Sequence, residues 1–224
     1  MKYNKNNNVI IIEPFETSSI EDFSGNNHKL ELKNGTQILK DENNLYYLNF
    51  EGVDDYAKIG ELDSTINWSD GFIVEFEAQW NTFNRFSRIF DFDNGAGNEN
   101  ILVSNLYENN SMLFIIMNGN QHADYTFVKD ILNREEKAKI KIEYKKIEGQ
   151  NKYKVSFYKD SELVYEQETP YTVNNVKRIY NYLGKPNWDD CGYFNGKIYS
   201  LKITQSDGTP ILWYDVNEWL RQSK

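Results

Sequence analysis

Along most of the chain, hydrophobic and polar residues alternate with a period of two. At 72–80, Phe72, Val74, Phe76, Ala78 and Trp80 share one face, and Glu75, Glu77 and Gln79 take the other. The same rhythm sets Ile140, Ile142 and Tyr144 against Lys139, Lys141 and Glu143. It sets Tyr153, Val155 and Phe157 against Lys154, Ser156 and Tyr158, and Tyr199, Leu201 and Ile203 against Ser200 and Lys202. Such alternation predicts strands with one dry and one wet face. Shorter strands are expected near 9–13, 29–33, 36–39, 45–50, 56–59, 87–92, 100–104, 111–117, 122–127, 162–167 and 178–183. Turns are marked by Asn-Gly or Glu-Gly pairs at 34–35, 94–95, 118–119, 148–149 and 195–196.

Many short strands at even spacing predict an all-β, two-sheet antiparallel sandwich with little helix. Phe76, Ile142, Phe157 and Leu201 should then meet in one core between the sheets. Lys129–Asn133 reads as a single helical turn, and Asp215–Leu220 as a short helix after Pro210 with Asp215 as its cap. No repeat, Pro-rich linker or charge block divides the chain. The expected organisation is an N-terminal extension or first strand at 1–19, a sandwich at 20–205, and a tail at 206–224 that docks or binds a partner.

Composition restricts function more than fold. The 224 residues are 39% hydrophobic and 15% aromatic, which suffices for one sizeable core. The net charge of -9 argues against general nucleic-acid binding, because an acidic surface repels phosphate backbones. No run of about 18 apolar residues is present to span a bilayer. The apolar stretch within residues 1–13 is too short for a signal-peptide core, so a virion or an extracellular place after release is favoured over a membrane. Cys191 is the single cysteine, and His28 and His122 are the two histidines. An internal disulfide, a multi-cysteine zinc site and a His-rich metal centre are therefore not expected.

Two segments carry a family resemblance. The first is Tyr47-Leu48-Asn49-Phe50-Glu51-Gly52-Val53-Asp54-Asp55-Tyr56-Ala57-Lys58-Ile59-Gly60, followed at 71–80 by Gly-Phe-Ile-Val-Glu-Phe-Glu-Ala-Gln-Trp. The second is Tyr182–Trp188, then Gly192-Tyr193-Phe194-Asn195-Gly196-Lys197-Ile198-Tyr199-Ser200-Leu201-Lys202-Ile203. Together they resemble the concanavalin A-like, laminin-G-type jelly roll over roughly residues 20–205. In that family an F-D-G-V-D-D-Y-V strand precedes an F-T-I-E-A-W strand, and an F-x-G-x-I-D-E-V strand closes the sandwich. The resemblance implies the fold and leaves function open, since such folds host lectins, adhesion modules, hydrolases and viral proteins. Relatives hold a structural calcium with a carboxylate in the closing strand, where this chain has Gly196-Lys197-Ile198-Tyr199-Ser200. Asp54, Asp55, Asp189 and Asp190 remain as donors, and the balance is against calcium, so no cofactor is expected.

Among enzyme relatives, laminarinase-type glycoside hydrolases need alternating acids in an E-x-D-x-E strand. Glu61-Leu62-Asp63-Ser64-Thr65 lacks the last acid, and Glu75-Phe76-Glu77-Ala78-Gln79 ends in an amide. Catalysis is not expected. Polar loops carrying an aromatic ring fit sugar recognition better, because a ring stacks on the sugar's C–H face while polar groups read its hydroxyls. Three such clusters occur at 105–110, 120–125 and 187–190, with Tyr107, His122, Trp188, Asp189 and Asp190 as candidate carbohydrate-binding residues. Arg88 and Asp91 fall on opposite faces of their strand if the alternation is regular. Trp213, Tyr214 and Trp219 form an apolar patch that either caps the sandwich or docks a partner. The expected function is a non-catalytic recognition or adhesion module binding a glycan or another host-surface ligand. The alternative is a bacteriophage structural or attachment protein that contacts other virion proteins.

Overall fold

The computed structural model describes residues 17–120 and 122–222, with the side chain of His122 outside that description. The strand expected near 9–13 also lies outside the described residues. Two antiparallel sheets face each other. The first runs, edge to edge, β1 (Ser19–Ile20), β2 (Leu30–Lys33), β5 (Tyr56–Ile59), β14 (Tyr180–Leu183), β7 (Arg88–Asp93), β8 (Ile101–Asn105), β9 (Met112–Asn118) and β10 (His122–Val128). The second runs β13 (Glu162–Thr169), β12 (Tyr153–Lys159), β11 (Lys137–Lys146), β6 (Gly71–Trp80), β15 (Asn195–Gln205), β4 (Tyr46–Glu51) and β3 (Gln37–Lys40). The expected sandwich is what forms.

Alternation explains which side of each strand is dry. Phe72, Val74, Phe76, Ala78 and Trp80 of β6 are all buried, and so are Ile140, Ile142 and Tyr144 of β11. Phe76, Ile142, Phe157 and Leu201 share one core with the inward residues of the first sheet, such as Phe90, Phe92 and Phe114. Ring pairs cross the gap, among them Phe72–Phe114 and Phe114–Phe157, each with centroids 6.3 Å apart.

Of the four register shifts in the described strands, those in β15 beside β6 and in β7 reassign side chains expected from regular alternation. In β15 the register shifts between Ile198 and Ser200, so Tyr199 is the extra residue. Ile198, Leu201 and Ile203 therefore face the core, and Tyr199 turns outward, contrary to the regular reading. There its ring lies 5.5 Å from Tyr47, and its hydroxyl donates to Asp41 Oδ2 at 3.1 Å. In β7 the shift between Arg88 and Phe90 leaves Ile89 and Phe90 both inward. Arg88 and Asp91 consequently share the outer face instead of lying on opposite faces.

The tail is part of the sheet. Residues Pro210–Asp215 form a strand, β16, that pairs with β15 beyond the end of β4. A short helix, α1 (Val216–Gln222), follows, and Asp215 Oδ1 caps it by accepting from the amides of Asn217 and Glu218, both at 2.9 Å. Lys129–Asn133 is a turn and an extended segment, not a helical turn. Tyr214 is buried, with its hydroxyl donating to the His28 carbonyl. It offers no surface to a partner, because its ring fills the sandwich. Trp213 packs edge-on against Phe23 at 5.9 Å, and Trp219 rests half-buried on the main core.

Close packing around Gly196 provides a test of this arrangement. A Cβ there would sit 2.1 Å from the Gln79 carbonyl and 2.6 Å from the Phe194 ring, whereas one at Gly60 would meet nothing within 4 Å. Gly196→Ala is expected to lower unfolding free energy in urea by about 1–3 kcal/mol or more. Gly60→Ala should stay within about 0.5 kcal/mol of the parent.

Candidate functional site

At one end of the first sheet, strands β7, β8, β9, β14 and β5 meet three connections: residues 81–87, 106–111 and 184–194. Backbone hydrogen bonds bind these connections to one another. Phe86 N donates to Tyr107 O at 3.0 Å, and Gly192 N to Arg85 O at 2.6 Å. Asn side chains complete the lattice: Asn105 Nδ2 donates to Asn84 O at 2.9 Å, and Asn84 Nδ2 to Tyr193 O at 2.9 Å. The Asn richness of these loops thus becomes structural, since a short amide can satisfy backbone groups that lack a strand neighbour.

Within this lattice two large aromatic residues occupy left-handed backbone, Phe86 at φ 48° and Tyr107 at φ 50°. For residues with a Cβ that conformation costs about 1–2 kcal/mol each, and it persists only where surroundings enforce it. Here it tips both rings together, with centroids 4.5 Å apart. Arg85 lies across them, its guanidinium carbon 5.3 Å from the Phe86 ring and 5.5 Å from Tyr107. The same guanidinium reaches Glu108 and Asp190 at 3.9 Å and donates from Nε to the Asp190 carbonyl at 3.2 Å. These are exposed, long ion pairs, worth at most about 1 kcal/mol each and readily exchanged for a ligand. Tyr107 is half exposed.

Beneath the rim the chemistry is dry. Arg88, Asp91, Asp93 and Asn100 are buried on the outer face of the sheet. Arg88 Nε donates to Asp91 Oδ2 at 3.1 Å, and Asn100 Nδ2 bridges Asp91 and Asp93 at 2.9 and 2.8 Å. Asn187 N also donates to Asp91, at 3.2 Å. Trp188 closes the top, with the Arg88 guanidinium 5.1 Å from its ring. It also packs on the apolar patch of Leu102, Leu113, Ile115 and Met117. The indole is thus half-buried, where the polar flanks suggested an exposed loop. Burial pushes the Asp91 carboxyl upward, and burial together with the neighbouring Asp91 carries Asp93 to about 7. Burial also raises the Cys191 thiol, which disfavours its thiolate form.

The predicted site residues divide. Tyr107, Trp188, Asp189 and Asp190 belong to this loop cluster. His122 does not: it pairs with Asn118 at the far end of β9, six residues along the strand from Met112, or roughly 20 Å. Of the acids at 61–65 and 75–79, Glu61, Asp63 and Glu77 are occupied elsewhere. Glu77 pairs with Lys137 at 2.5 Å, Glu61 with Lys177, and Asp63 Oδ1 accepts from Thr65 N at 2.8 Å. A cleft of about 480 Å³ near His28, Glu61, Asp63 and Lys177 has no Phe, Tyr or Trp among the described residues that line it. Arg85 and Phe86 were missed, although Asn84-Arg85-Phe86-Ser87 is a polar loop with a ring, the same signal that marked the other clusters.

Solved structures share this fold. Domain 4 of AbnA, a GH43 extracellular arabinanase from Geobacillus stearothermophilus solved with arabinotriose, matches with a TM-score of 0.56 at 12% identity, over 84% of this chain and 81% of that one. The CBM40 domain of the Ruminococcus gnavus IT-sialidase, bound to α2,3-sialyllactose, matches at 0.51 and 10%, over 77% and 96%. The binding domain of Paraclostridial Mosquitocidal Protein 1 matches at 0.53 and 13%, over 86% of this chain and 47% of that one. This chain therefore spans about half of the toxin domain. No family model matches the chain, and no curated protein matches it in sequence, so the likeness is one of fold.

The buried layer gives two expected outcomes. Between about pH 4 and 7 the unfolded chain has lost the Asp93 proton that the folded chain keeps. Stability should therefore fall as pH rises through that window, by up to about 1.4 kcal/mol per pH unit. Asp93→Asn should flatten that slope in urea melts at pH 5 and pH 7.5; an unchanged slope would remove Asp93 as its source. Trp188→Ala uncovers the Arg88–Asp91 pair and should cost about 2–4 kcal/mol of stability in the same melts.

Proposed function

We propose that this chain is a non-catalytic carbohydrate-binding module whose sugar rests on the Phe86–Tyr107 ring pair. The observation that carries the reading is that pair, held in left-handed backbone with Arg85 across it. Strain kept at an exposed aromatic surface marks a site selected for more than packing. A pyranose or furanose ring would lie on the exposed Tyr107 face, with Arg85, Glu108 and Asp190 turning from their weak mutual pairs to its hydroxyls. Their net charge is negative, which favours neutral sugars at this rim. Glu61 and Glu77 of the incomplete glycosidase patterns serve lysine pairs and Asp63 serves a turn, which supports binding without hydrolysis. The arabinotriose and sialyllactose complexes of structural neighbours support the ligand class.

Tyr107→Gly separates binding from folding. Glycine adopts φ near 50° without strain, which offsets its extra unfolded freedom and the lost ring contact with Phe86, so the variant should stay within about 1 kcal/mol of the parent. Losing the ring should weaken binding of a neutral oligosaccharide, found first on a glycan array, by about 1–3 kcal/mol in titration calorimetry. An array without a neutral hit, or a hit that Tyr107→Gly leaves unchanged, would overturn the proposal.

A further inference from the structure

The loop 184–194 has a second flank, across the outer face of β14 and β5 from the Tyr107 rim. There Tyr56 and Tyr182 meet edge to face at 5.5 Å. Lys185 extends from the loop over both, its Nζ 4.8 Å from the Tyr56 centroid and 4.5 Å from that of Tyr182. Alternation keeps neighbouring outward positions on the same face. Tyr180 and Tyr182 point out while Asn181 and Leu183 are buried, and Lys58, which stands opposite Tyr182, points out while Ala57 and Ile59 are buried. Tyr180 is 43% exposed, and its carbonyl accepts from Asn187 Nδ2.

What this surface adds is two lysines without a described acid partner beside a three-tyrosine face. The chain carries -9 overall, yet Lys58 and Lys185 have no acid within ion-pair distance among the described residues. Four acids flank the patch, but Asp91 and Asp93, which stand across from Tyr182 and Tyr180, are buried, Asp91 against Arg88 and Asp93 with its carboxyl raised to about 7. Glu31 is held by Lys33 at 2.7 Å, and Asp54 lies exposed on the turn before Tyr56, on the side of Tyr193. Burial raises the Tyr182 and Tyr193 hydroxyls, which therefore remain donors through neutral pH. A ring platform topped by one ammonium group, with a second beside it and neither paired with a described acid, suits a ligand that has both a flat apolar face and an anionic substituent.

From this geometry we infer a second subsite, formed by Tyr56, Tyr180, Tyr182, Lys58 and Lys185, that takes an acidic sugar bearing a carboxylate or sulfate. It uses residues distinct from the Tyr107 rim, so each can fail without the other. In an acidic protein, approach of an anionic ligand is disfavoured everywhere except where cations are grouped, and binding there weakens as salt rises. Stacking supplies the sugar selectivity that charge alone lacks.

The test compares paired probes by titration: trigalacturonate against its methyl ester, and sialyllactose against lactose. In at least one pair the acidic form should bind about tenfold or more tightly than its neutral counterpart, and the advantage should shrink with added salt. Lys185→Gln and Lys58→Gln should each reduce that advantage several-fold, with melting temperatures close to the parent, because Lys58 is exposed and glutamine keeps part of the half-buried Lys185 stem over the rings. Tyr182→Leu, which keeps apolar cover, should lose the acidic sugar while leaving any sulfate binding intact. Tyr107→Gly should leave the acidic advantage in place, which separates this subsite from the neutral-sugar rim. No preference in either pair, a preference that survives Lys185→Gln, or a Tyr182→Leu variant that binds the acidic sugar as tightly as the parent would each overturn the subsite.

Discussion

Arg88 and Asp91 form an ion pair with neither partner exposed, and the surface of the first sheet is organised around keeping it so. Two charges on an outer strand face would ordinarily sit in water. Here a single extra residue in β7 brings them onto one side, and the loop 184–194 must then lie over them. Breaking such a pair from one side costs about 3–5 kcal/mol, because the remaining charge is stranded. That penalty holds Asn187 N on Asp91 and Trp188 on Arg88. It thereby fixes the root of the loop whose two flanks carry the Tyr107 rim and the tyrosine–lysine patch.

Rigidity below contrasts with looseness above. Arg85 is tied to its acids at 3.9 Å, a distance at which exposed charges contribute little, while the rings beside it are locked by backbone bonds. The combination suits recognition: the apolar face is preformed, so little entropy is lost on stacking, and the polar groups remain free to reorient. Phe86 and Tyr107 could relax from left-handed backbone only by breaking the bond between Phe86 N and Tyr107 O and disturbing Asn105, whose amide holds both loops.

Regular strands were legible because burial of one face imposes a period of two, and β6 and β11 show it without interruption. The bulges were not legible, since an inserted residue leaves composition unchanged and moves only the phase. Tyr199, Arg88 and Asp91 were misplaced for that reason. β16 escaped notice because Ile211-Leu212-Trp213-Tyr214 is uniformly apolar and begins at a proline, which reads as a connector ahead of the helix. Tyr107 and His122 carry equivalent loop signals, yet strand β9 separates them; which end of a sheet a turn occupies follows from counting strands, not from local residues. The tyrosine patch lay in plain alternation at 180–183, on the wet face, where a search for core residues does not look.

The two flanks of the loop differ in charge for a reason that also lies in the fold. The rim is built from turns, where Asp, Asn and Glu are favoured because they accept from free backbone amides. Asp189 and Asp190 occupy such a turn, and Glu108 sits in another. The tyrosine patch is built on strand faces, where such acceptors have no backbone role and long lysines can lay their methylene stems along rings. Lys185 does this over Tyr56 and Tyr182, and Lys197 does the same over Tyr47 on the other sheet, at 4.9 Å. Only the first of these ring faces borders the loop that also carries Trp188. Turn chemistry thus sets an acidic edge, strand chemistry sets a basic face, and one covered ion pair holds the boundary between them.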